Sequence, residues 1–262
     1  MRLFAAGLLA LRFALPLGVL AGCASSRLPA NPAASPAPAI TDAPALIRAM
    51  HGRYAGRWYR TLAFTQATSR VLPDSTVRTE TWREWMALPG RLRIEIGVAA
   101  DGHGVLFARD STFVVRGSEV VRAEPERNPL LLLGFDVYGQ PPETTLRMLE
   151  EDGFDLSTFR TDTWEGRPAY VFGTPATKEV WVDAERLVFV RLLEPAGPGQ
   201  IQDVRFADYE PLDGGWIAPT VEVWLGGRKV FWEAYSEIRT GFEADPVLFD
   251  PRRWGAALGV AR

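Results

Sequence analysis

From Trp58 onward the chain is written in short runs in which apolar and polar residues alternate, and a period of two commits it to a fold built from sheet. Leu92, Ile94 and Ile96 alternate with Arg91, Arg93 and Glu95, which gives a strand one dry and one wet face. Runs of this kind occupy 58–70, 76–88, 91–98, 104–109, 112–116 and 118–123, then 167–173, 178–183, 187–193, 201–209, 216–224 and 229–240. Asp110-Ser111 and Arg116-Gly117 stand where one run must turn back on the next, so the pairing is expected to be antiparallel. Asp213-Gly214-Gly215 and Gly226-Gly227 read as further turns; no helix follows the second, so it is not a phosphate loop.

A helical pattern precedes the strands and another interrupts them. Thr41 or Asp42 can cap a first helix, with Pro44 in its opening turn and Leu46, Ile47, Met50 and Tyr54 along one face. In the middle, Asn128-Pro129 precedes Leu130, Leu131, Leu132 and Leu133, and Pro141-Pro142-Glu143 opens a helix carrying Leu146 and Leu149 that stops near Gly153. A long antiparallel meander curls because strand twist accumulates. If it curls without closing, a concave apolar face is left for the helices to cover. The expectation is a mainly β chain with a few helices, forming one incomplete antiparallel barrel over 41–254 with a tail at 255–262. Two fillings stay open: a greasy cavity under a helical lid, or a packed barrel or sandwich whose inward residues are only core. Trp82, Trp85, Trp181, Trp224 and Trp232 lie in strand runs and suit either.

The first 22 residues read as a secretory signal, with Arg2 ahead of an apolar stretch interrupted by Arg12 and Pro16. The stretch ends in Leu20-Ala21-Gly22-Cys23, which resembles the lipobox of bacterial lipoproteins. That resemblance implies that the Cys23 thiol carries lipid, palmitate or a similar acyl group, once the signal is cut away; only a thiolate suits the acyl-donor attack. Cys23 is the sole cysteine, so no internal disulfide can staple the domain. Residues 24–40, ASSRLPANPAASPAPAI, cannot bury a core and read as an extended tether. With Ala24 after the lipobox, a diderm host would send the protein to the outer membrane, facing the periplasm. The formal charge of −3, more negative once Arg2 and Arg12 leave, gives no reason to expect a nucleic-acid or polybasic membrane surface.

Reactive constellations are absent from the sequence. His51 and His103 are the only histidines, and neither G-x-S-x-G nor H-E-x-x-H occurs. Glu150, Glu151 and Asp152 read as a solvated helix end rather than a glycosidase pair. No enzyme, metal or cofactor is expected.

Phe64-Thr65-Gln66 is similar to the F-x-Q element of the outer-membrane lipoprotein carrier superfamily, LolA and LolB. Pro89-Gly90-Arg91-Leu92-Arg93 resembles that family's strand turn, 105–121 its aromatic hairpin, Asn128-Pro129 with the following leucines its lid entry, and Phe249-Asp250-Pro251 its domain ending. The carrier has a basic residue before the turn proline that helps hold the lid; here that position is Leu88. The resemblance implies a half-barrel whose cavity binds lipid or lipoprotein acyl chains. Strand parity assigns the groove to Leu92, Ile94, Ile96, Phe107, Phe113, Tyr170, Phe172, Val204 and Phe206, with Leu130, Leu131, Leu132 and Leu133 as lid. The alternative is a scaffold lipoprotein whose sheet binds an envelope protein partner.

Overall fold

The computed structural model describes residues 39–257. The signal, Cys23 and most of the tether lie outside the described residues. The chain opens with α1 (Ala43–Tyr54), where the Asp42 carboxylate accepts the Ala45 N–H at 2.7 Å and Pro44 sits in the first turn. Six strands follow: β1 (Thr61–Val71), β2 (Val77–Ala87), β3 (Leu92–Ile96), β4 (Gly104–Ala108), β5 (Ser111–Arg116) and β6 (Glu119–Glu124). The helical insert comprises α2 (Pro129–Gly134), a 3-10 turn at Asp136–Tyr138 and α3 (Pro142–Glu151). Nine more strands complete the sheets: β7 (Phe159–Trp164), β8 (Arg167–Gly173), β9 (Glu179–Asp183), β10 (Phe189–Gly197), β11 (Gln200–Ala207), β12 (Glu210–Leu212), β13 (Gly215–Ile217), β14 (Thr220–Leu225) and β15 (Arg228–Thr240). Three 3-10 turns end the described chain at Pro246–Phe249, Pro251–Arg253 and Gly255–Ala257.

Thirteen strands form one sheet in the order β6-β5-β4-β3-β2-β1-β15-β14-β11-β10-β9-β8-β7, and β12 with β13 forms a separate hairpin. Every pairing in the large sheet is antiparallel. Its two edges, β6 and β7, do not meet. The sheet is an open half-barrel with helices over it, as the alternation implied. Register shifts at Ala63/Thr65, Phe189/Arg191 and Val223/Trp224 add the local bend that a curling sheet needs.

Apolar packing gathers in two places. The larger core lies on the concave side, where Leu46, Ile47 and Met50 of α1, Leu131 to Leu133 of α2, and Val137 and Tyr138 meet Phe172, Val180, Phe189, Leu192 and Phe206. The helices rest chiefly on β8 and β10. Tyr138 stacks on Trp58 with centroids 3.8 Å apart, and its hydroxyl accepts the Phe189 N–H at 2.9 Å. The smaller core lies on the convex side of β1–β5, where Ala63, Trp85, Leu106 and Val115 are covered by Val247, Leu248, Phe249 and Trp254. Arg93 is fully buried there, paired with Glu95 at 2.8 Å and lying 3.6 Å from the Trp254 ring centroid. Its guanidinium also donates to the carbonyls of Leu248 and Trp254, both at 3.2 Å. Gly104 is required beneath it, because a Cβ there would come within 2.5 Å of the Trp254 ring. Packing runs on past Trp254 to Ala257, which is fully buried in the same cluster.

Candidate functional site

Both hairpin turns in the first half sit one residue away from where composition put them. Arg109 and Asp110, at φ 54° and 56°, link β4 to β5, and Gly117 and Ser118, at φ 58° and 67°, link β5 to β6. A two-residue link pairs an odd position with an even one, so Phe107 faces Thr112 and Phe113 faces Leu106. Phe113 is therefore corrected from the groove to the convex packing around Leu106 and Trp254. Phe107 and Phe113 could share a face only across a link of odd length.

The remaining groove candidates lie on the concave side, in two different settings. Phe172, Val204 and Phe206 are buried in the large core and Tyr170 is packed against it. Leu92 is buried too, but Ile94, Ile96 and Phe107 are partly exposed. Cross-strand pairing aligns Ile96 with Trp82 and Ile94 with Val105, and Val105 with Val114. These form an apolar, partly exposed face on the part of the sheet away from β8 and β10. In α2, Leu133 is fully buried, Leu131 and Leu132 nearly so, and Leu130 is half-buried. Asn128 starts that helix by accepting the N–H groups of Leu130 and Leu131 at 2.9 and 3.3 Å.

At the rim, Leu131 and Leu132 face a cavity of about 490 Å³ that Phe107, Met148 and Phe249 also line. Its polar wall is built from Arg91, Arg109, Arg127 and Asp136. Arg127 binds Asp152 at 2.7 Å and Glu151 at 2.9 Å and lies 3.8 Å from Asp110, so it ties the end of α3 to the β4–β5 turn. The acidic run at 150–152 is thus partly a structural clamp. Asp136, buried in the 3-10 turn after α2, accepts the Gly90 N–H with both oxygens at 3.0 and 3.1 Å. Burial pushes its carboxyl up to about 7 against the pull of that N–H. The segment after α2 is fastened to the Pro89-Gly90 turn by an acid of its own, where the carrier family has a basic residue on the turn side.

Sequence reasoning missed a polar patch on the concave floor. Gln66 is fully buried; its amide nitrogen donates to Thr68 at 2.9 Å and Glu233 at 3.1 Å. Tyr235 donates its hydroxyl to Glu233 at 3.0 Å and stacks on Phe64 with centroids 4.0 Å apart. Glu84, between Phe64 and Ile94 in register, is 5% exposed. The available signal was a set of Gln and Glu at inward positions, flanked by Phe64 and Met86.

His103 accepts the Gly117 N–H at 3.3 Å, a hairpin contact. Among the described residues no three His, Cys, Asp or Glu side chains gather as a metal requires, and no helix is long and apolar enough to cross a membrane.

No protein-family model matches the sequence, and no curated protein matches it. Solved structures do. A LolA superfamily protein from Nitrosomonas europaea superposes with a TM-score of 0.50 at 11% identity, over 78% of this chain and 97% of that one. A DUF1329 family protein from Desulfovibrio piger gives 0.51 at 13% identity, over 79% and 95%. An outer membrane lipoprotein-sorting protein domain from Vibrio parahaemolyticus gives 0.51 at 14% identity, over 80% and 97%. The fold of this chain resembles that of the LolA superfamily, in agreement with the motifs at Phe64-Thr65-Gln66 and Pro89-Gly90.

Proposed function

We propose that this chain is a lipid-anchored envelope protein that binds or transfers lipid or lipoprotein acyl chains on the concave side of its half-barrel. It is read as a binding protein and not an enzyme. The observation that carries this is the partly exposed apolar face of Ile96, Val105 and Val114, which Ile94 and Phe107 continue to the rim of the helix-covered core. The rim cavity under Leu131 and Leu132 extends the apolar lining, and likeness to a lipoprotein-sorting domain supports the choice of ligand. Each methylene moved from water onto such a face contributes about 0.8 kcal/mol. A chain of that kind can be held firmly and still be released to a membrane offering the same burial.

Cys23 would carry the lipid anchor and residues 24–40 would tether the domain at the outer membrane, facing the periplasm of a diderm host. Native mass spectrometry of the purified protein tests the reading: a co-purifying lipid supports it, and a clean protein mass counts against it. Metabolic labelling with an alkyne fatty acid should mark the wild type and not Cys23→Ser; label on the mutant would remove the anchor from the account.

A second reading has its own observation. The edge strand β6 is exposed along its whole length, with Val120 40% and Val121 56% exposed. An uncovered edge can accept a strand from an envelope protein. A stoichiometric protein partner without lipid would favour that scaffold role.

A further inference from the structure

This molecule pairs its covered carboxylates with arginine almost everywhere. Asp203 sits 2.7 Å from both Arg191 and Arg205, Asp183 sits 2.7 Å from both Arg167 and Arg186, and Glu95 is held by Arg93. Glu84 and Glu233 are exceptions, and so is Asp136, but Asp136 is served by the Gly90 N–H on both oxygens. Neither Glu84 nor Glu233 makes an ion pair with any described residue, and Glu84 makes no hydrogen bond to one either. The nearby arginines Arg70 and Arg78 are both engaged with Glu80.

Donors are scarce in this patch as well. The Gln66 amide nitrogen is shared between Thr68 and Glu233, and the Tyr235 hydroxyl goes to Glu233. The Gln66 carbonyl oxygen, fully enclosed, has no partner. Three acceptor groups therefore converge from β1, β2 and β15; Glu233 takes the two donors, and no described donor reaches Glu84 or the Gln66 carbonyl. Retaining two carboxyl groups without a cationic partner costs the fold, since neutral or apolar side chains of similar size would suit the site better. Such a cost is characteristic of sites kept for a ligand.

Resting on the acyl-groove reading, we infer that the concave face selects amphiphiles whose polar end is a protonated amine, seated against Glu84, Glu233 and the Gln66 carbonyl. An ammonium group brings three N–H donors and no acceptor, which complements this patch. A carboxylate or phosphate end would face like charge and bare acceptors. Phe64, Ile94 and Val221, the register neighbours of the two acids, supply apolar walls for the first carbons of the chain. Desolvation raises both carboxyl groups, Glu233 to about 7, and Glu233 adds to the rise of Glu84. An arriving ammonium must then expel a proton from the pair.

Isothermal titration of the intact chain with octylammonium, octanol and octanoate tests this. Octylammonium should bind about tenfold tighter than octanol, with octanoate weakest. Its heat should differ between phosphate and Tris buffers, reporting proton release, whereas that of octanol should not. Glu84→Gln and Glu233→Gln should each erase the preference for the amine. Equal affinity for octylammonium and octanol in the wild-type chain, with no proton release, would overturn the inference and leave the acyl groove standing. Failure of all three ligands to bind would remove both.

Discussion

The two halves of the sheet are covered differently. In β7–β11 the concave face is dry: Phe172, Val180, Leu192 and Val204 lie in the core shared with the helices. Among the described residues no chain covers the convex face of that half, which carries interleaved tryptophan and arginine instead. Arg191 lies 4.3 Å from the Trp164 centroid and 5.3 Å from that of Trp181, and Arg205 lies 4.4 Å from that of Trp224. In β1–β6 the concave face is dry only in part, where Leu62, Phe64, Met86 and Leu92 join the same core. The C-terminal turns cover the convex face around Trp254, while Ile94, Ile96 and Phe107 stay partly exposed on the concave one. One sheet thus has three kinds of cover among the described residues, namely helices, a C-terminal strap and a cation–π surface, and the face left without any is the one proposed above to receive a ligand.

The largest expected effect tests the strap. Trp254→Ala removes a fully buried indole and strips the cover from the Arg93–Glu95 pair, so it should cost about 3–5 kcal/mol in a urea titration. Trp224→Ala, on the solvent-facing lattice, should cost about 1 kcal/mol. Equal losses would mean that both convex faces are core.

The next comparison is between the two parts of the concave side. Leu133→Ala opens a hole in the helix-covered core and should cost about 2–5 kcal/mol, whereas Ile96→Ala, on the partly exposed face, should cost about 1 kcal/mol or less. The same Ile96→Ala chain should bind a fluorescent fatty-acid probe more weakly than wild type. A stability loss at Ile96 as large as that at Leu133 would close the groove.

Acid titration separates the halves by sign. Asp136 and Glu233 are both raised to about 7, chiefly by burial, so the folded state holds protons that the unfolded chain has already released. Their contribution is fully present below pH ~4 and is lost as pH rises through ~7, by at most about 1.4 kcal/mol per unit for each group. Asp183 behaves oppositely. Burial favours its neutral form, but Arg167 and Arg186 outweigh burial and hold it at about 2. Stability from Asp183 is present above pH ~4 and is lost as pH falls toward 2. Urea midpoints should therefore peak near pH 4–5, and Asp136→Asn should flatten only the limb above the peak. A peak at pH 8 would refute the assignment of Asp136.

Much of this architecture was legible because strand and helix periods are local. Asp42, Asn128 and the proline pairs mark helix starts, and the odd–even alternation places Leu92, Ile94 and Ile96 together. Other features escaped for physical reasons. The β7 strand, FRTDTW, is an edge strand with polar residues on both faces, so its period carries no hydrophobic contrast. The strap at 246–257 is built from irregular 3-10 turns, whose burial depends on Arg93 and Gly104, some 150 residues earlier in the chain. Gln66, Glu84 and Glu233 stand on three strands that only the β1–β15 pairing brings together. Alternation says which residues share a face; it does not say what covers that face.

The smallest expected effect concerns the cation–π surface itself. Arg191 reaches Asp203 with two nitrogens at 2.7 and 2.8 Å and also lies over Trp164 and Trp181. Arg191→Lys keeps the charge but loses the planar two-point contact and the stacking, so it should cost about 1 kcal/mol. Because Arg205 also binds Asp203, the carboxylate is not abandoned, which keeps the loss small. Arg191→Met should cost more than Arg191→Lys at low salt, and the gap should narrow in 1 M NaCl as screening weakens the ion pair that lysine retains. Neither change should alter fatty-acid probe binding, since Arg191 lies on the convex face, opposite the side where its neighbour Leu192 packs in the core. If Arg191→Lys weakens probe binding, the convex surface of this half takes part in ligand capture, and the division of labour between the two halves fails.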